Sequence, residues 1–307
     1  MIDLPNWRRC WVGLLAIAAL CVPVYGSGAS QKYQASGMLL AADPAQHTIT
    51  VSCKEIPGYM DAMVMSFPVH SSAWPVGLKP GVSIEFTLSV AKNDFYAENV
   101  RLQAFESLEL DPTEARRLQL VENANSSHPL SKDVLQPGDA VPDFRFTDQN
   151  HDSISFSQFK GKVVALTFIY TRCPRPDYCL RLSNNFGVLQ RRFKNRLGND
   201  LVLLTVIIDP IHDQPGALQT YARTWKADSH TWHFLTGPVA DIQRLCHRFD
   251  MSFYPDEALY VHSFHTVIIG RDGHLTANLE GNNFTAQQLG DLVETLVAEK
   301  ERRVENE

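Results

Sequence analysis

In FIYTRCPRPDYCLRL, residues 168–182, Cys173 and Cys179 are separated by five residues, two of them Pro174 and Pro176, and follow directly on an apolar run. A thiolate is both a nucleophile and a soft metal ligand, so the pair admits three readings: a disulfide-exchange site, a metal site or an inert structural bridge. A C-x-x-C pair would lie on one helical turn. Here the prolines hold a wider loop in which both sulfurs can point into one concave site, and a disulfide still forms where the Cα atoms approach to ~4.4–6.8 Å. Spacing alone leaves the choice open.

A third residue type narrows it. The stretch that opens with GDAVPDFRF and ends at Cys173 resembles the start of thioredoxin-like and peroxiredoxin-like folds. In those folds a strand delivers a cysteine to the N-terminal side of a helix, which stabilises a thiolate. In VHSFHTVIIGRDG, Phe264 falls where thioredoxin-like proteins carry the cis-proline that faces the disulfide, so the generic reductase feature is missing. His262, two residues earlier, lies on the same side as that position in an extended chain, and His265 on the other. Two thiolates and one imidazole form a ligand set that suits copper in particular and zinc less distinctively. His212, His233, His247, His265 and His274 are expected at the surface or in packing roles. Cys246, on the helical apolar stripe of VADIQRLCHRFD, is expected as a buried small hydrophobe.

A second cluster lies upstream. CKEIPGYMDAMVMSFPV holds Met60, Met63 and Met65, three of the six methionines in the chain. On a strand Met63 and Met65 face the same way. Methionine fills cores, and its thioether is also a soft, uncharged ligand.

The elements that must position these residues fall into two groups. Residues 31–103 read as the short strands ASGMLLAAD, HTITVSC, AMVMSFPV, VSIEFTLSV and YAENVRLQ, separated by turns such as DPAQ and LKPG. That pattern suits a small all-β, OB-like barrel, closed or partly closed. From residue 136 to about residue 300, strand and helix alternate: KVVALTFIY, the cysteine loop and a helix, LVLLTVIID, a helix from Pro215, HTVIIGRDGHL, and a last helix from Thr285. This is α/β patterning of the thioredoxin-like kind. Residues 104–135 are polar and turn-rich and read as a linker.

Residues 1–26 carry Arg8 and Arg9, then the apolar CWVGLLAIAALCVPV, then small polar residues, the order of an export leader. The run is at the short limit of the ~17–25 residues that span a bilayer, so an uncleaved N-terminal anchor is the alternative. Leu20 before Cys21 argues against lipid attachment, and Cys10 and Cys21 belong to this segment. Cys53, Cys173, Cys179 and Cys246 are too few for a disulfide-built scaffold. With 28 basic and 34 acidic residues the chain has no basic field, which excludes nucleic acid as an expected partner.

FIYTRCPRPDYC, VIIDPIHDQPGALQTYA, WHFLTG and VHSFHTVIIGRDG together resemble the Sco/SenC family of copper-binding, thioredoxin-fold proteins, over residues 136–298. The resemblance implies a metallochaperone of the periplasm, tethered to the inner membrane if the leader stays uncleaved. It implies a copper ion, Cu(I) or Cu(II), on Cys173, Cys179 and His262. The client would be the copper-bearing subunit of cytochrome c oxidase or another periplasmic copper protein. Asp209, in IIDP, matches an acidic position near the family's site. Familiar members have three residues between the cysteines, and the five-residue version belongs to bacterial relatives.

The stretch IPGYMDAMVMSF resembles the motif of small periplasmic copper-binding barrels related to CusF, over residues 34–103. That resemblance implies a Cu(I) site at Met63 and Met65, with Met60 and Cys53 as further ligands, Cys53 standing where the relatives carry a histidine. Two enzyme readings use the same cysteines. In one, a thiol-disulfide oxidoreductase cycles a Cys173–Cys179 disulfide against client cysteines and has no need of His262. The other, a peroxiredoxin-like peroxidase, lacks its usual Thr-x-x-Cys context at TRCPRPDYC.

Overall fold

The computed structural model describes residues 30–71, 74–91, 94–103, 120, 133–256, 259–281 and 283–304, with side chains up to residue 298. The expected leader lies outside these residues, as does the expected linker apart from residues 120 and 133–135. Among the described residues no helix is long and apolar enough to cross a membrane.

The first domain is one antiparallel sheet of five strands, β1 (Gln31–Asp43), β2 (Thr48–Cys53), β3 (Val64–Pro68), β4 (Ser83–Ala91) and β5 (Asp94–Leu102), in the order β3-β2-β1-β4-β5. Alternation of side chains sends Leu39, Ile49, Val51, Phe67, Ile84, Phe86 and Leu88 to a common inner face, where they are buried. The DPAQ turn forms because the Asp43 carboxylate accepts the N–H groups of Ala45 and Gln46 at 2.9 and 3.0 Å. The sheet curls until its edges approach: Val69, just past β3, bridges Ala97 of β5, and the His70 N–H donates to the Ala97 carbonyl at 2.9 Å. No continuous ladder joins β3 to β5 among the described residues, so the expected barrel is realised as a curled sheet that is only partly closed.

The second domain opens with a ribbon of β6 (Arg145–Thr147) and β7 (Ser153–Ser155). It continues as β8 (Val163–Ile169), α1 (Arg181–Arg192), β9 (Leu201–Ile207), α2 (Pro215–Thr224), β10 (Trp232–Leu235) and α3 (Val239–Arg248). A ribbon of β11 (Phe253–Asp256) and β12 (Leu259–His262) follows, then β13 (His265–Ile269), β14 (Leu275–Glu280) and α4 (Ala286–Val304). The central sheet runs β10-β9-β8-β13-β14, with β8, β9 and β10 parallel and β13 and β14 antiparallel to their neighbours. Every residue of β8 (VVALTFI) and β9 (LVLLTVI) is buried, which is why both read as unbroken apolar runs rather than alternating ones. The two domains touch: Met38 and Leu40, on the outer face of β1, pack into the core of the second domain.

Candidate metal centre

The cysteine loop leaves the carboxyl end of β8, the end at which open α/β sheets place their chemistry. Pro176 starts one wide helical turn over Pro176–Leu180, a position where its missing N–H costs nothing. It also keeps Arg175 extended, at φ −94° and ψ 116°. Tyr178, at φ −109° and ψ −112°, breaks the helical path before α1 begins. These interruptions turn Cys179 back toward Cys173 instead of leaving it one helical turn away.

The Cys179 Sγ lies 3.5 Å from Nε2 of His262, which stands at the end of β12, and both side chains are buried. His262 Nδ1 is 2.8 Å from the Ser263 carbonyl. A carbonyl only accepts, so the imidazole proton sits on Nδ1 and Nε2 turns a lone pair toward the sulfur. Burial, partly offset by the Ser263 hydrogen bond, lowers the His262 pKa to about 4, which keeps the ring neutral and able to ligate. Metal–sulfur and metal–nitrogen bonds of ~2.3 and ~2.0 Å at tetrahedral or trigonal angles would hold S and N ~3.5–3.8 Å apart. The observed separation fits that range.

The two thiols differ. A hydrogen bond from the Cys179 thiol, helped by the backbone N–H groups of Arg175 and Cys179 against the cost of burial, lowers the Cys173 pKa to about 6. Burial, and then its bond to Cys173, pushes Cys179 well above the ordinary thiol value. Cys173 is thus the thiolate and Cys179 the proton donor. All four described cysteines are free thiols. Among the described residues no three His, Cys, Asp or Glu side chains already stand in a ligating array. A metal held by all three would require Cys173 to be drawn onto the Cys179–His262 pair.

Aromatic rings wall the pair. Phe264 meets His262 edge-on at 4.9 Å and stacks on Tyr178 at 4.5 Å, and the Arg175 guanidinium lies 4.0 Å above the Tyr178 ring. The Tyr170 ring also meets His262 edge-on at 6.0 Å, held by a hydrogen bond from its hydroxyl to the Tyr260 carbonyl. Phe264, in the place of the reductase proline, packs directly on the imidazole.

Asp209, fully buried past the end of β9, accepts hydrogen bonds from Arg172 Nη2 at 2.6 Å and from His212 Nδ1 at 2.9 Å. Burial alone would raise its pKa, but these two bonds outweigh it and the net shift is downward. Since Arg172 is next to Cys173, Asp209 steadies the cysteine loop through the arginine. Sequence reading missed the parallel clamp by Asp213, which takes the Thr171 N–H at 2.8 Å and the Thr171 hydroxyl as well. The signal was present in IIDPIHD, where Asp213 follows Asp209 by four residues.

Elsewhere His233 is buried against Asp148 at 3.0 Å and His265 against Asn278 at 2.9 Å, both in packing roles, while His274 pairs with Asp272 at the surface. Cys246 is buried on the inner side of α3.

In the first domain, Cys53 ends β2 and donates its N–H to the Met63 carbonyl at 2.9 Å, while Met65 stands opposite Val51. Period-two alternation then places Cys53 and Met65 on the inner face, with directly opposite Cβ atoms of the strand pair ~4.5–5.5 Å apart. Cys53 is buried in the core, Met60 and Met65 pack partly buried against that core, and Met63 is 46% exposed. Burial raises the Cys53 pKa to about 12. Cys53 and Met65 thus lie in or against the core, Met63 lies opposite Cys53 at the surface end of the strand pair, and Met60, bridged to Ile56, approaches from the intervening loop.

Residues 132–298 match the family model SCO1/SenC, and residues 32–101 match that of the copper binding periplasmic protein CusF. A protein of Stutzerimonas stutzeri named for copper binding is 31% identical over 147 residues, which cover 46% of this chain and 69% of that one. A SCO2-like protein of Rickettsia typhi is 25% identical over 152 residues, 47% of this chain and 70% of that one. A solved SCO1/SenC family lipoprotein from Bacillus anthracis superposes with a TM-score of 0.46 at 23% identity, covering 51% of this chain and 94% of that one. Copper-bound ScoI of Bradyrhizobium japonicum does so with a TM-score of 0.44 at 20% identity, covering 52% and 99%. With the first of these family models spanning more than half of its 307 residues, the chain belongs to the SCO1/SenC family.

Proposed function

We propose that this protein is a copper-delivery protein in which Cys173, Cys179 and His262 hold the ion for transfer by ligand exchange. The observation that carries this reading is the approach of Cys179 Sγ to within 3.5 Å of His262 Nε2, both buried, with the Cys173 thiol bonded to Cys179 beside them. With Cys173 ionised and His262 neutral, the Cys179 proton has both the Cys173 thiolate and Nε2 of His262 as acceptors. Cu(I), also monovalent and softer, replaces that proton without changing the charge of the buried site, which favours it over a divalent ion. The first domain holds Cu(I) separately through Met63 and Met65, with Cys53 and Met60 as further donors. The protein acts in the periplasm, and its client is a copper-bearing subunit of cytochrome c oxidase or another periplasmic copper protein.

One observation favours a second reading, a thiol-disulfide oxidoreductase. Cys173 combines the lowered pKa with 8% exposure, while Cys179 is fully enclosed, the asymmetry of an attacking and a resolving thiol. The experiment that separates the two mixes the copper-loaded reduced chain with an apo, fully reduced client domain that carries thiolate and imidazole ligands. Delivery predicts copper on the client with no change in its thiol count. The oxidoreductase reading predicts no copper on the reduced client, thiol-disulfide exchange with an oxidised one, and indifference of that exchange to His262→Ala.

A further inference from the structure

Ser52 and Cys53 are consecutive residues of β2 and face opposite sides of the sheet. Cys53 faces the inner side, where Met60 and Met65 pack against the same core. Ser52 faces the second domain and is held there twice: its hydroxyl donates to Asp291 Oδ2 at 2.7 Å, and its carbonyl accepts from Gln288 Nε2 at 3.1 Å. Both partners lie on the first turns of α4, and both are themselves fixed. Gln288 belongs to a reciprocal cap, in which Thr285 N–H donates to Gln288 Oε1 at 3.0 Å and Gln288 N–H donates to the Thr285 hydroxyl at 3.1 Å. With its oxygen so committed, the amide has only its NH2 side to offer Ser52. The other carboxylate oxygen of Asp291 receives Arg192 Nη1, from the end of α1, at 2.8 Å.

The sheet around this point leaves little slack. Met38, paired with Ser52 across β1 and β2, is 1% exposed and sits in the core of the second domain. Gly37, paired with Cys53, has no room for a side chain: a Cβ there would stand 2.4 Å from the Ser52 carbonyl oxygen and 2.9 Å from the Cys53 Cα. On the loop before β4, a Cβ on Gly81 would come within 2.9 Å of the Ala277 side chain of β14. The strand end that presents Cys53 is therefore clamped between its own sheet and a helix of the other domain.

We infer that Gln288 and Asp291 of the second domain are positioning residues for the Cu(I) site of the first, setting where Cys53 stands relative to Met63 and Met65. The inference rests on the reading of those sulfurs as a Cu(I) site. Ligand position decides metal affinity more steeply than it decides fold stability, and residues that orient ligands commonly contribute ~10–100-fold in affinity.

The test uses the full chain with Cys173→Ser and Cys179→Ser, so that only the first site takes up Cu(I), titrated against a competing chelator. Adding Gln288→Ala, or Asp291→Asn, is expected to weaken Cu(I) binding by about tenfold or more and to shift the ultraviolet thiolate-to-copper band of Cys53. Should either change unfold the second domain, Ser52→Ala removes the hydroxyl bond from the other side and is expected to produce the same loss and the same spectral shift. Equal affinity and an unchanged band in folded variants would overturn the inference and leave the Cu(I) site standing. A chain that takes up no Cu(I) before these changes would overturn both.

Discussion

Replacing Asp209 by Asn tests how the cysteine loop is held. The carboxylate is fully buried, and its two side-chain donors, Arg172 and His212, lie at 2.6 and 2.9 Å. Charge-assisted hydrogen bonds contribute ~1.5–3 kcal/mol each and are about twice as strong as neutral ones, so an amide of the same shape forfeits ~1 kcal/mol per bond. The Arg172 side chain is 38% exposed and regains water when released, which keeps the total near ~2 kcal/mol, below the ~3–5 kcal/mol of an arginine stranded in the interior. For a domain of this size that is about 4–8 °C in Tm. The pH dependence follows from the sign of the shift. The folded pKa of Asp209 lies below its ordinary value of 3.8, so its contribution is fully present above that value and is lost as pH falls toward the folded one. Thermal unfolding of parent and variant, followed by circular dichroism, should show a gap at pH 7 that narrows below about pH 4. A gap under about 1 °C at pH 7, or one that persists unchanged to pH 2, would show that the Asp209 charge does not hold the loop.

Three further outcomes are expected. Alkylation of Cys173 in the reduced protein should rise through a midpoint near its lowered pKa of about 6, with Cys179 unreactive over the same range, and mass spectrometry of the labelled peptides would show whether the order is reversed. A Cys173–Cys179 disulfide, once formed by mild oxidation, should abolish copper binding by the second domain, because coordination needs thiolates, and full copper retention by the oxidised form would contradict this. Met63→Leu with Met65→Leu should cost under ~1.5 kcal/mol, since the volumes match, yet remove Cu(I) from the first domain; a folded double variant that titrates like the parent would show those methionines to be core alone.

The strands that carry this chemistry were legible because their patterns are local. VVALTFI and LVLLTVI announce buried strands by continuous apolar residues, and Pro215 marks the first residue of α2. The last helix, expected from Thr285, begins at Ala286 because Thr285 serves as its cap. The ribbon that carries His262 was not legible: each strand has four residues, and one contains Pro255. The arginine clamp was hidden for a different reason. Arg172 and Asp209 are 37 residues apart, and only the parallel register of β8 on β9 brings their loops together. Likewise nothing near Ser52 points to Gln288, 236 positions later. Residue types suggest a donor set, whereas the hydrogen bonds that fix its shape depend on tertiary pairing.

Delivery and redox exchange part over whether His262 ligates copper or only packs beside Cys179. Copper affinity of the reduced full chain carrying Met63→Leu and Met65→Leu, compared with the same chain carrying His262→Ala, tests it directly. Ligation by His262 predicts one copper bound before the change and, after it, a loss exceeding the ~10–100-fold that a merely supporting residue contributes. Unchanged copper stoichiometry and affinity in the His262→Ala protein would contradict it and leave Cys173 and Cys179 as a redox pair.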